Sequence, residues 1–202
     1  PDKQIRIVFL AQTESGKPEF ILKTGAGKEI LRAVPELSSN PLISFNDFRF
    51  IKSEKKNISH TWENAFGEKR LVPDNYNEAK IYLESRGKKL NLIIRVYNEG
   101  AAFAYEFPLQ TGIGSLYLAD ENILYSFKAD HFTWSAPRAQ AMYSHVPLSG
   151  IHKGCERPLV IEIDSSYVIA LAEAGLVDYA RMKFDPDSTG EFSIRSRLDG
   201  GV

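Results

Sequence analysis

The chain is poor in the features that mark several large classes of protein. It has a single cysteine among 202 residues, so no disulfide can form within it. Its 25 basic and 26 acidic residues nearly cancel, and this balance indicates neither nucleic acid nor an anionic membrane as a partner. No apolar run approaches the roughly 20 residues of a membrane-spanning helix, and the first residues lack a signal-peptide core. We therefore expect no nucleic-acid partner and no membrane span.

Familiar catalytic signatures are also missing. There is no Gly-x-Ser-x-Gly elbow, no phosphate-binding glycine loop and no Cys-x-x-Cys pair. The four histidines lack the spacing of a helical zinc site; His145 and His152 could share a site, although solvent-exposed loop positions are the simpler interpretation. A catalytic thiol needs a nearby base, which the turn-like segment around Cys155 does not show, so a structural cysteine is predicted. The sequence thus assigns no catalytic residue.

What the sequence does contain is short runs of alternating apolar and polar residues, separated by Gly, Pro, Asn, Asp and Ser. In the clearest run, Leu90–Val96, every second residue is apolar. Turn residues 98–100 then lead into the run 101–107, and the two runs together predict a β-hairpin. The two weak candidates for helices, residues 31–37 and 63–69, each contain a proline or glycine that disfavours a helix.

The number of such runs, about ten or more, exceeds the roughly seven strands of a minimal sandwich. We therefore predict an all-β fold, a large β-sandwich of two packed antiparallel sheets, as one domain over residues 1–202. The final segment, "RSRLDGGV", has turn residues and no closing strand, which predicts that the chain is part of a longer protein. Residues expected in the core are Leu92, Ile94, Val96, Phe103, Tyr105, Ile161, Ile169 and Leu171.

Glu173 interrupts an apolar segment. On a strand through Tyr167, the side chains of Ile169, Leu171 and Glu173 lie on one face, so the carboxylate extends an apolar surface. Burying it is costly unless it is paired or bound to a cation. Two interpretations stay open: the carboxylate reaches solvent at the end of the strand, or it binds a substrate or a hard cation such as calcium, which prefers oxygen ligands.

Trp134, in "HFTWSAP", lies at the end of a predicted strand. An exposed indole there could stack on a sugar ring, and this makes Trp134 the candidate substrate-binding residue. Packing in the core is the commoner role of tryptophan, and the same two interpretations apply to Trp62.

Three segments together resemble glycoside hydrolase family 97. "RVYNEGAAFAYEFP" (95–108) is similar to a hairpin of that family with the pattern Arg-x-Tyr-Asn-acid-Gly-x-Ala-Phe-x-Tyr-x-Phe-Pro. "TWENAFGEKRLVPDNYNEAKIYL" (61–83) is similar to its Trp…Gly-Glu…Tyr-Asn-Glu segment, and "LAEAGLVDYARM" (171–182) is similar to its Glu-Ala-x-Leu-Val-x-Tyr segment. Their order and separation also match, and the likeness covers most of the chain from about residue 60 onward.

The resemblance implies a fold and a function. Family members are exported, periplasmic or secreted α-glucosidases or α-galactosidases. They have an N-terminal β-super-sandwich of the galactose-mutarotase-like type, a catalytic (β/α)8 barrel and a small C-terminal β domain. This chain resembles only the first, and the catalytic carboxylates, retaining or inverting, belong to the barrel. The family binds calcium between sandwich and barrel with one sandwich glutamate, and Glu173 matches that position.

The resemblance therefore leads us to expect a non-catalytic N-terminal domain that packs on a barrel absent from this chain and supplies a calcium ligand. The carbohydrate substrate would be bound through that barrel. One alternative is a stand-alone carbohydrate-binding or interaction module on the same sandwich. A third possibility is an aldose-epimerase-like enzyme, by fold analogy alone, which would need a His and Glu pair in a concave face.

Overall fold

The computed structural model describes residues 4–11, 13, 17–41, 43 and 48–199, and nearly all regular structure in these ranges is β-strand. The one helical segment described there is a 3₁₀ turn at Leu148–Gly150. No helix in these ranges is long and apolar enough to cross a membrane. The strands, in chain order, are β1 Ile5–Leu10, β2 Glu19–Thr24, β3 Glu29–Asn40, β4 Arg49–Glu63, β5 Leu71–Ser85, β6 Lys88–Val96, β7 Ala101–Glu106, β8 Tyr117–Ser126, β9 Phe132–Ser135, β10 Ser144–Pro147, β11 Leu159–Glu162, β12 Val168–Leu171, β13 Met182–Asp187 and β14 Ser193–Leu198.

The strands form antiparallel sheets, which confirms the predicted fold class. Hydrogen bonding divides them among three sheets, with the strand orders β1-β2-β3-β8-β14-β13, β10-β9-β11-β12 and β4-β5-β6-β7. The predicted hairpin is the β6–β7 pair, in register from Asn91 opposite Glu106 to Val96 opposite Ala101. Neither weak candidate for a helix forms one: residues 31–37 belong to β3, and residues 63–69 form the end of β4 and the loop after it.

One apolar core joins side chains from all three sheets. Leu92 of β6, Ile161 of β11 and Phe184 of β13 are all fully buried members of this cluster. Burying side chains of this size stabilises the fold by roughly 1.5–3 kcal/mol each relative to exposure. The cluster therefore fixes the sheet β10-β9-β11-β12 against the other two sheets. This sheet carries Trp134, and Glu173 follows its last strand by two residues.

The burial of the eight residues expected in the core depends on where each lies in its sheet. Leu92, Ile94 and Ile161 are buried, whereas Val96, Phe103, Tyr105, Ile169 and Leu171 are half-buried and pack against the core. Val96 ends β6, and the other four lie on β7 and β12, which are edge strands of their sheets. An edge strand lacks one neighbour, so its inward side chains stay partly open to solvent.

The hairpin of β4 and β5 extends past its sheet. Both strands have 15 residues, but β6 pairs with β5 only between Asn77 and Ser85. Beyond the pair of Asn57 with Asn77, residues 58–63 and 71–76 pair only with each other in this sheet. We call residues 57–77, which comprise these paired segments and the loop between them, the β4–β5 arm.

Candidate functional site

Both candidate residues lie near one end of the sheet β10-β9-β11-β12. Because neighbouring strands are antiparallel, the last residue of β9, Ser135, lies opposite the first residue of β10. The first residue of β11, Leu159, lies opposite Leu171, the last residue of β12. The segments 136–143, 156–158 and 172–181 therefore meet beyond this end.

Glu173 is neither exposed nor unpaired. It follows β12 by two residues and continues the half-buried face of Ile169 and Leu171, as the alternation predicted; its side chain is 14% exposed. The backbone N–H of Met182 donates to both carboxylate oxygens at 3.0 Å, and Nε of Arg157 donates to Oε1. The arginine thus supplies the positive charge that a half-buried carboxylate requires.

Arg157 belongs to a wider charged cluster, which we define as Glu156, Arg157, Glu173, Arg181, Lys183 and Asp199. Arg157 also donates to Glu156, at 3.0 Å, and the Glu156 side chain is only 7% exposed. Arg181 and Lys183 bridge Glu156, at 3.5 and 3.7 Å, to Asp199, at 2.8 and 3.1 Å. Hydrogen bonds from Arg181 and then Lys183 hold the pKa of the Asp199 carboxyl below its usual value. The cluster alternates three cations with three anions, so it is close to neutral.

A second carboxyl group lies within electrostatic range of Glu173. Burial raises the pKa of Glu121, on β8, and the negative charges of Glu173 and Asp120 raise it further. A hydrogen bond from the Tyr179 hydroxyl, at 2.8 Å, opposes this rise. A raised pKa marks a place where negative charge is costly, and such places are often functional. A cation there would relieve the repulsion among these carboxylates.

The described residues do not build a metal centre by themselves. They contain no group of three or more His, Cys, Asp or Glu side chains that could hold a metal ion. Calcium takes about six to eight oxygen ligands, so most of them would have to come from outside this chain. Arg157 would also have to leave the Glu173 carboxylate, and it can do so while keeping Glu156 as its partner.

A cleft of about 370 Å³ opens beside the charged cluster, lined in part by Arg138, Arg157, Arg181, Glu156 and Tyr143. Carboxylates of the cluster neutralise Arg157 and Arg181, whereas Arg138 makes no ion pair with any residue that the structure describes. The cleft can therefore hydrogen-bond a polar group.

Trp134 lies on the outer face of the sheet. Its side chain is 44% exposed, so the commoner core role does not apply. The indole N–H donates to Glu162 at 2.8 Å, and the His145 ring packs on the indole with centroids 4.6 Å apart. Phe132 also stacks on His145, with ring centroids 4.8 Å apart. The result is an exposed aromatic row beside an acceptor carboxylate whose pKa is lowered, first by the hydrogen bond from Trp134.

The structure does not bring the two candidate residues into one site. Trp134 faces outward, whereas the neighbouring Thr133 and Ser135 are buried; Glu173 continues the inward face of β12. His145 takes part in the aromatic row and not in a site with His152, which is exposed. The sequence did not identify Arg157 as the partner of Glu173. The only sequence feature that marks Arg157 is its place in a Glu-Arg pair just before a proline and a predicted strand.

Cys155 is fully buried, and its backbone exchanges hydrogen bonds with Phe184 at 2.8 and 2.9 Å. Burial is the largest effect on this thiol and raises its pKa, so the thiolate needed for nucleophilic chemistry is disfavoured. This position supports the structural role predicted from the sequence.

The chain matches one family model and is similar in fold to solved enzyme structures. The family model described as "Glycosyl-hydrolase 97 N-terminal" matches residues 1–198. A solved glycoside hydrolase family 97 enzyme from Pseudoalteromonas sp. strain K8, in complex with acarbose, is 20% identical with a TM-score of 0.86; the match covers 100% of this chain and 33% of that one. A solved β-arabinopyranosidase is 19% identical with a TM-score of 0.78, over 100% of this chain and 38% of that one. The chain thus spans about a third of the length of these relatives.

Proposed function

This chain belongs to the glycosyl-hydrolase 97 N-terminal family, and from that premise we propose that it is the non-catalytic N-terminal domain of a glycoside hydrolase acting on α-glucosides or α-galactosides. The family match over residues 1–198 carries the proposal. The arrangement of the described residues agrees with it, because the thiol is buried and the charged cluster is internally paired. The domain packs on the catalytic barrel, which acts on the sugar.

The proposed cofactor of the whole enzyme is calcium, with Glu173 as one carboxylate ligand. Support comes from the strand-end position of Glu173 and from the electrostatic repulsion between Glu173 and Glu121. When bound, the ion would supply positive charge that orients oxygen groups at the boundary between sandwich and barrel. Arg157 would then be held by Glu156 alone.

The proposed sugar contact of this chain is Trp134, on the exposed aromatic row. An indole that is 44% exposed offers an apolar surface, and Glu162 beside it offers acceptors for hydroxyl groups. The same row also favours the second candidate function, a stand-alone carbohydrate-binding module.

In both cases we infer a location outside the cytoplasm, periplasmic or secreted, which fractionation of cells that make the protein would test.

The decisive experiment compares this chain with the full-length enzyme that contains it. We expect the full-length enzyme to hydrolyse p-nitrophenyl α-glucoside or α-galactoside and the purified chain to be inactive on both. Turnover by the chain itself, abolished by a point mutation within it, would contradict the proposal. The chain alone is also tested for glycan binding, with Met142→Ala as the control because Met142 is an exposed apolar residue outside the aromatic row. Binding that is lost in Trp134→Ala and kept in Met142→Ala would favour the stand-alone module.

The calcium proposal has its own test. In the full-length enzyme, we expect Glu173→Gln to weaken calcium binding at least tenfold in a calorimetric titration. Glu191→Gln is the matched control, because Glu191 is exposed and its carboxylate has no partner among the described residues. Identical titration curves for wild type and Glu173→Gln would show that Glu173 is not a ligand.

A further inference from the structure

The β4–β5 arm exposes apolar side chains that nothing in the described chain covers. Every residue of β4 except Ile58 is exposed, although the strand is 15 residues long. At the end of the arm, Trp62 is 45% exposed, Phe66 87% and Leu71 63%. Trp62 pairs with Val72 and Leu71 with Glu63, so Trp62 and Leu71 lie on opposite faces of the ribbon, and apolar surface is exposed on both faces near its end. Extended exposed apolar surface marks an interaction site more often than isolated apolar side chains do.

The arm holds its shape through its own hydrogen bonds. The side chains of Asn57 and Asn77 bond across the two strands at 2.8 Å, and those of Ser59 and Asn75 bond at 2.9 Å. At the tip, the backbone N–H of Asn64 donates to the carbonyl of Arg70 at 2.7 Å. The arm is thus a formed hairpin, but an isolated two-stranded ribbon is only marginally stable in water. A partner that covers the arm would complete it.

The tip carries residues that the sandwich does not use. Trp62, Gly67 and Glu68 lie in the segment that resembles a family motif, and all three are exposed. Glu68 makes no hydrogen bond or ion pair with any residue in the described ranges. Gly67 has a φ of +113°, which a residue with a Cβ rarely adopts, so the loop depends on this glycine for its shape. These residues are not needed for the packing of this chain, which points to a role in contact with something outside it.

We propose that the β4–β5 arm docks on the catalytic domain of the enzyme, with Phe66 and Trp62 in an apolar recess and Glu68 against a hydrogen-bond donor or cation. This rests on the function proposed above. The solved relative is about three times as long as this chain, since the match covers 33% of it, so a large partner is available within one polypeptide. The seven residues Leu71–Asn77 place the tip about 20 Å beyond the point where β6 stops pairing with β5, at roughly 3.3 Å per residue.

Cysteine labelling tests the docking directly. Cys155 is the chain's single cysteine and is fully buried, so a thiol introduced at an exposed position is the reactive one in this chain. We compare Phe66→Cys with Leu109→Cys, because the side chains of Phe66 and Leu109 are both highly exposed. Leu109 precedes Gln110, whose side chain bonds the backbone of Lys89 on β6. Lys89 lies opposite Glu84, near the end of β5 that is farther from the arm, about 45 Å from the tip.

In the isolated chain, both introduced thiols should react with maleimide at similar rates. In the full-length enzyme, peptide mass spectrometry should show at least tenfold slower labelling at position 66 and an unchanged rate at position 109. Equal rates at position 66 in the two forms would overturn the proposal. Slower labelling in the isolated chain as its concentration rises would also overturn it, because the arm would then bind a second copy of the chain.

A second variant separates docking from folding. Phe66→Ser should leave the thermal midpoint of the isolated chain unchanged and lower that of the full-length enzyme by a few degrees. No shift in the full-length enzyme would count against docking. If the full-length enzyme hydrolyses α-glucosides or α-galactosides but position 66 reacts as fast as in the isolated chain, the arm proposal alone is wrong. If the full-length enzyme hydrolyses neither substrate, the proposed function is wrong, whatever the labelling rates are.

Discussion

Replacing Glu173 by glutamine isolates the charge of the Glu173–Arg157 pair. Glutamine has nearly the same volume and keeps a carbonyl oxygen that can accept from the Met182 N–H, so packing and one hydrogen bond survive. What is lost is the charge-assisted bond from Arg157. Both side chains of the pair are largely buried, 14% and 20% exposed, so solvent screens the interaction only in part.

The size of the effect follows from what Arg157 keeps. A charge-assisted hydrogen bond contributes about 1.5–3 kcal/mol, and a buried charge left without a partner costs about 3–5 kcal/mol. Arg157 retains Glu156 at 3.0 Å, so its charge is not left alone. We therefore expect Glu173→Gln to lower the free energy of unfolding of this chain by about 1–2 kcal/mol.

Urea unfolding followed by tryptophan fluorescence measures this change as a lower midpoint with an unchanged slope. Glu191→Gln, at an exposed position, should stay within about 0.5 kcal/mol of wild type. In a cycle with Arg157→Gln, the double variant should cost less than the sum of the single ones, because one interaction is counted in both. A Glu173→Gln chain as stable as wild type, or more stable, would refute the pairing described here.

Three further predictions concern this chain. Phe184→Ala should lower the free energy of unfolding by about 3–5 kcal/mol because Phe184 is fully buried, whereas Phe66→Ala, at an exposed site, should change it by less than about 0.5 kcal/mol; urea titration compares the two. Burial raises the pKa of Glu121 above its unfolded value of about 4.3, so ionising this carboxyl lowers the stability of the folded chain as the pH rises from about 4 toward neutrality. Glutamine does not ionise, so the stability advantage of Glu121→Gln over wild type should grow over that range. A constant difference in stability would count against the raised pKa. Cys155 should resist maleimide in the native chain and react at the urea midpoint, and labelling without denaturant would contradict its burial.

The strands and their faces could be predicted because local alternation encodes them. The pattern of Leu90–Val96 identified the β6–β7 hairpin, and the pattern through Leu171 placed Glu173 on the inward face. The partner of Glu173 could not be predicted, because Arg157 lies 16 residues earlier and meets it only through the pairing of β11 with β12. Sequence alternation reports which side chains share a face, but it contains no information on what lies opposite that face.

The same limit explains Trp134 and the arm. Alternation separates Trp134 from Thr133 and Ser135, but it cannot tell which of the two faces is the core. In β4 both faces are exposed in this chain, so a strand-like pattern did not imply burial there. Local patterns therefore predicted the strands, while sheet order and burial depended on contacts between distant residues.

The strand order β3-β8-β14-β13 has a consequence for how the chain folds. β14 lies between β8 and β13, and Ile194 pairs with Tyr125, some seventy residues earlier in the chain. The sheet β4-β5-β6-β7 joins strands that are consecutive in sequence, so its hairpins close short loops and can form early. The six-stranded sheet, by contrast, stays incomplete until residues 193–198 have left the ribosome. Until then β8 has no neighbour on that side. Because pairing between distant strands is slow, its unpaired edge is open to wrong partners while the chain is being made.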